Sequence, residues 1–109
     1  MSASPARRIA FQILCRVESE QAYASDLLHA KLGDDLSRAD AALATELTMG
    51  VLRWQGLLDF LLQRHLDKST ERMDAEVLLA LRIGLYQMRF LDRVPVRAAV
   101  NESVELAKA

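Results

Sequence analysis

The sequence predicts an all-α fold, a helical bundle of about five to six helices around one central apolar helix. Apolar residues recur at helical spacing along most of the 109 residues, and no segment shows the strict alternation typical of a strand. The chain has only 4 glycines and 2 prolines, so few turns interrupt it. Residues 77–91 are apolar on almost every face, with charges only at Arg82 and Arg89. A helix of that kind must be covered by other helices.

The first helix is expected to follow Ser4, which can cap its N-terminus, with Pro5 in the first turn. It should run to about residue 20. Its buried stripe is expected to contain Ile9, Ala10, Ile13, Leu14 and Val17. A short helix should then begin at Ser25 or Asp26 and end before Gly33.

A long helical pattern covers residues 38–66, with Ser37 as its N-cap. Trp54 falls within the apolar stripe of this pattern. Gly50 and Gly56 lie inside it, and each costs up to about 1 kcal/mol relative to alanine in a helix. We therefore expect a close helix contact at Gly50 and a bend or break near Gly56.

The central helix is expected to begin near Asp74. Gly84 would let a neighbouring helix approach closely, and Tyr86 should bury its ring and direct its hydroxyl to a polar partner. After a corner at residues 92–95, a last helix is predicted over residues 96–108. Its small residues would allow it to pack closely on the central helix.

Charge is distributed unevenly along a chain whose net charge is -1. Residues 1–16 carry three arginines and no acid, whereas residues 17–76 carry six bases and twelve acids. Residues 77–109 carry five bases and three acids. The basic surplus therefore lies at the two ends of the chain, and it would form a positive patch if those ends meet in the fold.

The residues give little indication of catalysis. The single cysteine, Cys15, excludes an internal disulfide, is typical of a cytoplasmic protein, and is interpreted as a packed thiol rather than a nucleophile. His29 and His65 have no second ligand at metal-binding spacing. We find no phosphate-binding glycine loop and no nucleophile elbow. The chain is therefore predicted to be non-enzymatic, with no cofactor or metal of its own and no membrane span.

Arginine side chains are the remaining candidates for function, because a guanidinium suits bidentate phosphate contacts and base stacking. The candidates are Arg7, Arg8 and Arg16 near the start, and Arg82, Arg89, Arg93 and Arg97 near the end. Spacing alone leaves two interpretations open, an RNA or phosphate site and a set of ordinary solvated charges.

A set of motifs resembles a known family. The motifs are Glu46-Leu47, Gly50-Val51-Leu52-Arg53-Trp54, Leu58-Asp59, Leu81-Arg82-Ile83-Gly84-Leu85-Tyr86-Gln87, Pro95, and Ala99-Val100-Asn101-Glu102-Ser103-Val104-Glu105-Leu106-Ala107-Lys108. Together they are similar to the NusB-like RNA-binding domain, over residues 6–108. Segments 50–54 and 91–95 most resemble the N-terminal domain of the Sun/Fmu (RsmB) type of 16S rRNA cytosine-C5 methyltransferase. The free-standing NusB transcription antitermination factor is a near relative.

The resemblance implies an all-helical fold and RNA binding. Arg7 and Arg8 match the arginine-rich helix start through which NusB contacts RNA. We therefore predict RNA contacts by Arg7, Arg8 and Arg16, joined by Arg93 and Arg97 if the corner lies nearby. In the methyltransferases, a downstream Rossmann-like domain binds S-adenosylmethionine and supplies the catalytic cysteine. Neither feature is expected in this chain.

Two departures from the family pattern matter. The pattern continues past Lys108 with another helix, so residues 1–109 are expected to be one domain of a longer protein. Apolar surface that this helix would cover on the central and last helices is expected to be buried in a homodimer or a crystal contact. The chain is also not basic overall, so its RNA affinity should be modest and sensitive to salt.

Three functions follow as hypotheses. The first is an rRNA-recognition domain that works with a downstream methyltransferase domain. The second is an antitermination factor that binds boxA-like RNA together with a ribosomal protein. The third is a helical protein–protein module whose acidic segment, residues 18–76, forms the working surface.

Overall fold

The computed structural model describes residues 4–31, 36–64 and 73–91, and within these ranges the chain forms five α-helices and no strand. The helices are α1 (Pro5–Glu20), α2 (Ala24–Lys31), α3 (Arg38–Arg53), α4 (Gln55–Gln63) and α5 (Ala75–Phe90). The all-α prediction is confirmed. The predicted corner at residues 92–95 and the last helix over residues 96–108 lie outside the described residues.

The starts of α1 and α3 follow the predicted caps. The Ser4 hydroxyl accepts a hydrogen bond from the backbone N–H of Arg7 at 3.4 Å, and Pro5 is the first helical residue. The Ser37 hydroxyl accepts from the backbone N–H of Asp40 at 3.0 Å. These bonds satisfy donors that would otherwise lack a partner in the first turn.

The long helical pattern of residues 38–66 divides at Trp54, which confirms the break expected near Gly56. The Trp54 N–H closes α3 on the Gly50 carbonyl at 3.0 Å, and the Trp54 carbonyl accepts from the Leu58 N–H at 2.9 Å to open α4. Its φ and ψ of -105° and 18° lie outside the helical region. A side chain at Gly56 would meet nothing within 4 Å, so that glycine relieves no crowding.

Helix α5 lies at the centre and packs against α1, α3 and α4. The core around it consists of Ala10, Leu14, Leu47, Val51, Leu58, Leu79, Ala80, Ile83 and Tyr86. A smaller cluster of Ile13, Leu27 and Leu28 attaches α2. The predicted central position of this helix is confirmed, as is its start after Asp74.

Three polar side chains on α5 are also buried: Arg82, Tyr86 and Gln87. Each bonds to a different neighbouring helix. Arg82 donates to both carboxylate oxygens of Asp59 on α4, at 2.7 and 2.9 Å. Tyr86 donates to Glu46 on α3 at 3.0 Å, and Gln87 accepts from Arg7 on α1 at 2.6 Å. Because an unpaired buried polar group is costly, these bonds fix the register of α5 against all three neighbours.

The Arg82–Asp59 pair gives a stability prediction. The change Asp59→Ala should lower the free energy of unfolding by about 3 kcal/mol, because it leaves the buried Arg82 guanidinium without its carboxylate. Equilibrium urea unfolding measures the loss. As a control, Glu20→Ala removes the partner of the exposed Arg16 and should cost less than about 1 kcal/mol. Equal losses in the two variants would contradict the structural role given to Arg82.

The two glycines in the α3–α4 region should respond oppositely to alanine. A Cβ at Gly50 would overlap the ring and hydroxyl of Tyr86, which is held in place by Glu46. Gly50→Ala should therefore cost about 1–3 kcal/mol of unfolding free energy. Gly56→Ala meets open space and should stabilise the fold by up to about 1 kcal/mol. Thermal unfolding of both variants checks the prediction, and a neutral Gly50→Ala would refute it.

Candidate functional site

Arg7, a predicted RNA contact, lies inside the structure with 9% of its surface exposed. Its Nε donates to the Gln87 side-chain oxygen at 2.6 Å, and its Nη1 donates to the Ser4 hydroxyl at 3.0 Å. Gln87 is fully buried and in turn donates to the Ile83 carbonyl at 3.2 Å. The structure therefore shows Arg7 joining the start of α1 to α5.

Arg8 and Arg16 are both exposed on α1. They are eight residues apart, which places them about 12 Å apart along the helix and about 80° apart around its axis. Arg16 is paired with Glu20, whose carboxylate lies 2.9 Å from its Nε. Arg8 makes no salt bridge within the described part of the chain. Of these two exposed arginines, Arg8 is therefore the one whose charge is not already shared with a carboxylate.

The arginine patch was predicted from both ends of the chain, but only one end can be placed. Arg93 and Arg97 lie outside the described residues, so their meeting with Arg8 stays a prediction.

The sequence does contain a local indication that Arg7 is buried, although the distribution of charge does not reveal it. Arg7 precedes the core residues Ala10 and Leu14 by three and seven positions, which is the spacing of one helix face.

A second candidate region lies near the junction of α3 and α4. It contains stacked aromatic rings and the hydrogen bond between Tyr86 and Glu46. Phe90 stacks on both Trp54 and Tyr86, with ring centroids 5.3 and 4.9 Å away. The Tyr86 hydroxyl donates to Glu46 at 3.0 Å, which confirms the prediction of a buried ring with a polar partner. Gly50 lies against this ring and leaves room for it, which confirms the close contact expected there.

Beside these rings is an open cavity of about 500 Å³, which we call the corner hollow. It is lined by Glu46, Met49, Gly50, Leu52, Arg53, Trp54 and Tyr86. Trp54, which the sequence places in the apolar stripe, is 40% exposed. Its ring packs on Phe90, but the break in the helix at Trp54 leaves much of the indole outside the core.

Burial raises the pKa of the Tyr86 hydroxyl to about 12, and the hydrogen bond to Glu46 acts in the same direction. The nearby Arg53 opposes this rise. Burial also raises the pKa of the Cys15 thiol, with Glu76 and Glu18 adding to the effect. Cys15 packs against the core as predicted, and a raised pKa disfavours the nucleophilic thiolate.

The described residues were compared with the requirements of a metal site and of a membrane-spanning helix. No three His, Cys, Asp or Glu side chains gather there as metal ligands. None of the described helices is long and apolar enough to cross a bilayer. The predicted homodimer surface includes both α5 and residues 96–108, and because residues 96–108 lie outside the described ranges it stays a prediction.

The start of α1, which carries Arg7 and Arg8, and the corner hollow lie at the same end of the bundle. Tyr86, which lines the hollow, and Gln87, which holds Arg7, are consecutive residues of α5. Consecutive helical residues point about 100° apart, so the two features occupy adjacent sides of α5. One extended ligand could therefore contact both.

Comparison with known proteins identifies the class. Residues 4–109 match the NusB family. The chain is 33% identical over 105 residues to "Transcription antitermination protein NusB" of Shewanella frigidimarina (strain NCIMB 400), covering 95% of this chain and 78% of that protein. The chain therefore belongs to the NusB family, as the motifs predicted. The solved structure of T. maritima NusB has the same fold, with a TM-score of 0.84, 23% identity, and coverage of 97% of this chain and 78% of that one.

Similarity is also high to much longer proteins. The chain is 37% identical over 109 residues to the Bacillus subtilis (strain 168) protein named "Probable ribosomal RNA small subunit methyltransferase B". This match covers 99% of the chain but 24% of the longer protein. The chain thus spans about a quarter of the length of this relative.

The raised pKa of Tyr86 gives a pH prediction. Folding favours the protonated hydroxyl, so the stability it contributes is complete below pH 10 and is lost as the pH rises towards 12. Urea unfolding of the wild type and Tyr86→Phe should therefore differ most below pH 10. The difference should shrink between pH 10 and pH 12. A difference that is constant across this range would contradict the structural account of the hydroxyl.

Proposed function

We propose that this chain is the RNA-binding domain of a small-subunit rRNA cytosine-C5 methyltransferase, and that it contributes rRNA recognition. The observation that carries the proposal is the match to the B. subtilis methyltransferase over 99% of this chain and 24% of that protein. The domain itself is non-catalytic in this proposal. The methyl donor S-adenosylmethionine and the catalytic cysteine belong to a further domain of the same protein, which is its partner within the chain.

RNA is contacted at the start of α1 in this proposal, with separate roles for the neighbouring arginines. Arg8 is exposed and free of a salt bridge among the described residues, so it can contact a phosphate directly. No acidic residue lies in the first turn of α1, and the partial positive charge of a helix N-terminus favours phosphate there. Arg7 fixes this turn to α5 through Gln87. Arg16 can join once it exchanges Glu20 for a phosphate.

A second candidate is an antitermination factor of the NusB type. The match to the Shewanella NusB supports it, because that match covers 78% of the relative's length. The methyltransferase match is somewhat stronger in identity, at 37% against 33%. Competition between a small-subunit rRNA fragment and a boxA-like RNA separates the candidates. We expect the rRNA fragment to bind more tightly, and a preference for the boxA-like RNA would favour the antitermination factor.

The division of roles between Arg7 and Arg8 can be tested directly. Arg8→Ala should weaken binding of the rRNA fragment and reduce the slope of log affinity against log salt by about 0.7–0.9, the loss of one phosphate contact. Its free energy of unfolding should stay within about 0.5 kcal/mol of the wild type. Arg7→Ala should instead lower that free energy by about 1–3 kcal/mol, because Gln87 is left buried without its donor. Fluorescence anisotropy over a salt series and urea unfolding give the two readouts.

The matched control is Arg38→Ala, which also removes one exposed arginine. Arg38 is the first residue of α3, about 18 Å along that helix from Gly50. Gly50 touches Tyr86, the neighbour of Gln87, so Arg38 lies towards the opposite end of the bundle from Arg7. Arg38→Ala should leave the salt slope unchanged. An Arg8→Ala slope equal to that of the wild type would refute the α1 contact.

A further inference from the structure

The corner hollow has the features of a site for a planar ligand. We propose that it is a subsite for one unpaired nucleobase of bound RNA. The base stacks on Trp54, its amino edge donates to Glu46, and Arg53 contacts the adjoining phosphate. The inference rests on the proposed RNA-binding function and adds to it a site at which a base, rather than the backbone alone, is recognised.

Trp54 provides the stacking surface. Phe90 covers one face of the indole, with the ring centroids 5.3 Å apart and the planes 25° from parallel. Trp54 is 40% exposed and lines the hollow, so part of the indole remains open to a ligand. Phe90 also stacks on Tyr86, so the three rings form one aromatic cluster. A base placed on the indole would extend a stack that is already ordered, so little side-chain freedom is lost on binding.

Glu46 provides an acceptor for the edge of the base. Tyr86 donates to its Oε1 and thereby holds the carboxylate at the rim of the hollow. No other described residue donates a hydrogen bond to Glu46. Its second oxygen is therefore open to an amino group such as N4 of cytosine. Uracil suits this acceptor less well, because carbonyl oxygens flank its single N–H.

Arg53 provides the positive charge for a phosphate. It ends α3, it is exposed, and it lines the same hollow as Trp54. It forms no salt bridge with any residue in the described ranges. The three groups of the hollow correspond to the three parts of a nucleotide. The indole can stack on the base, the carboxylate can accept from its amino edge, and the guanidinium can contact the phosphate. A peptide ligand bound by apolar contacts would not need the two charges.

The position of the hollow also fits an RNA strand held at α1. Gln87 bonds to Arg7, and the next residue towards the N-terminus, Tyr86, lines the hollow. The start of α1, which carries Arg8, and the hollow, which includes Trp54, therefore lie at one end of the bundle. A single strand whose backbone crosses the start of α1 can place a neighbouring base on Trp54, as single-stranded sites that combine cations and aromatic rings do.

The experiment uses the fact that Trp54 is the single tryptophan of the chain. The protein is titrated with a short oligocytidine and with an abasic ribose-phosphate strand of equal length. Oligocytidine should quench the fluorescence of Trp54 by stacking, whereas the abasic strand should bind through its phosphates without this quenching. Trp54→Leu should weaken binding of oligocytidine about tenfold and leave binding of the abasic strand unchanged. Fluorescence anisotropy of the labelled strands measures both affinities.

Two further variants make the assignment specific. Phe60→Leu removes another exposed aromatic residue, outside the hollow, and should leave oligocytidine affinity unchanged. Glu46→Gln keeps an acceptor for Tyr86 but replaces the open oxygen with a donor. The wild type should prefer oligocytidine over oligouridine by about two- to tenfold, the effect of one hydrogen bond, and Glu46→Gln should lose this preference.

The outcomes separate this inference from the function on which it rests. RNA binding that depends on Arg8, without quenching of Trp54 and without an effect of Trp54→Leu, would overturn the subsite and leave the proposed function standing. The same result is expected if the hollow is instead a docking surface for protein. Failure of every RNA to bind at low salt would overturn both. The quenching measurement needs no variant, so the test holds even if Trp54→Leu does not fold.

Discussion

The requirement that a buried polar group keep a partner governs this small bundle. Helix α5 is surrounded by three helices, yet it carries Arg82, Tyr86 and Gln87 into the interior. Each of these side chains forms a hydrogen bond with one residue on a different neighbouring helix. Apolar packing alone tolerates small shifts between helices, whereas a hydrogen bond holds only over a few tenths of an ångström. The three bonds thus select one arrangement from the many that the apolar faces would allow.

These bonds also determine where function can reside. Because Gln87 draws Arg7 inward, the guanidinium left at the surface in the first turns of α1 is that of Arg8. Because Tyr86 reaches Glu46 across Gly50, a carboxylate is held beside an exposed indole. A structural bond and a candidate binding group therefore occur side by side in both places. A substitution at either place needs a stability measurement before any loss of binding is interpreted.

The sequence predicted the features that depend on neighbouring residues along the chain. The Ser4 and Ser37 caps, the start of α5 after Asp74 and the apolar stripes could all be read from local pattern. The crowding at Gly50 was also indicated, since a glycine inside a helix implies a close neighbour. The motifs also identified the correct family. The caps, the helix start and the glycine contact each depend on a short window of residues, whereas the family resemblance combines motifs spread over residues 46–108.

What the sequence did not predict depends on contacts between distant residues. The partners of Arg7, Tyr86 and Arg82 lie 80, 40 and 23 positions away. The charge distribution and the family resemblance made Arg7 a candidate RNA contact, and neither indicates that its side chain packs against Gln87. A bend or break was expected near Gly56, and it occurs two residues earlier, at Trp54, whose ring stacks on Phe90. Residue propensity does not specify such a contact, so it could not give the exact position.

The separation of 80 residues between Arg7 and Gln87 has a consequence for synthesis on the ribosome. At about 5–20 residues per second, α5 is made about 4–16 s after the first turn of α1. During that interval α1, α2 and α3 can associate, but the side of α1 that faces α5 has nothing to cover it. The nascent domain cannot complete its core until α5 has been synthesised. Until then, the side of α1 that packs on α5 is exposed, and a chaperone could bind it.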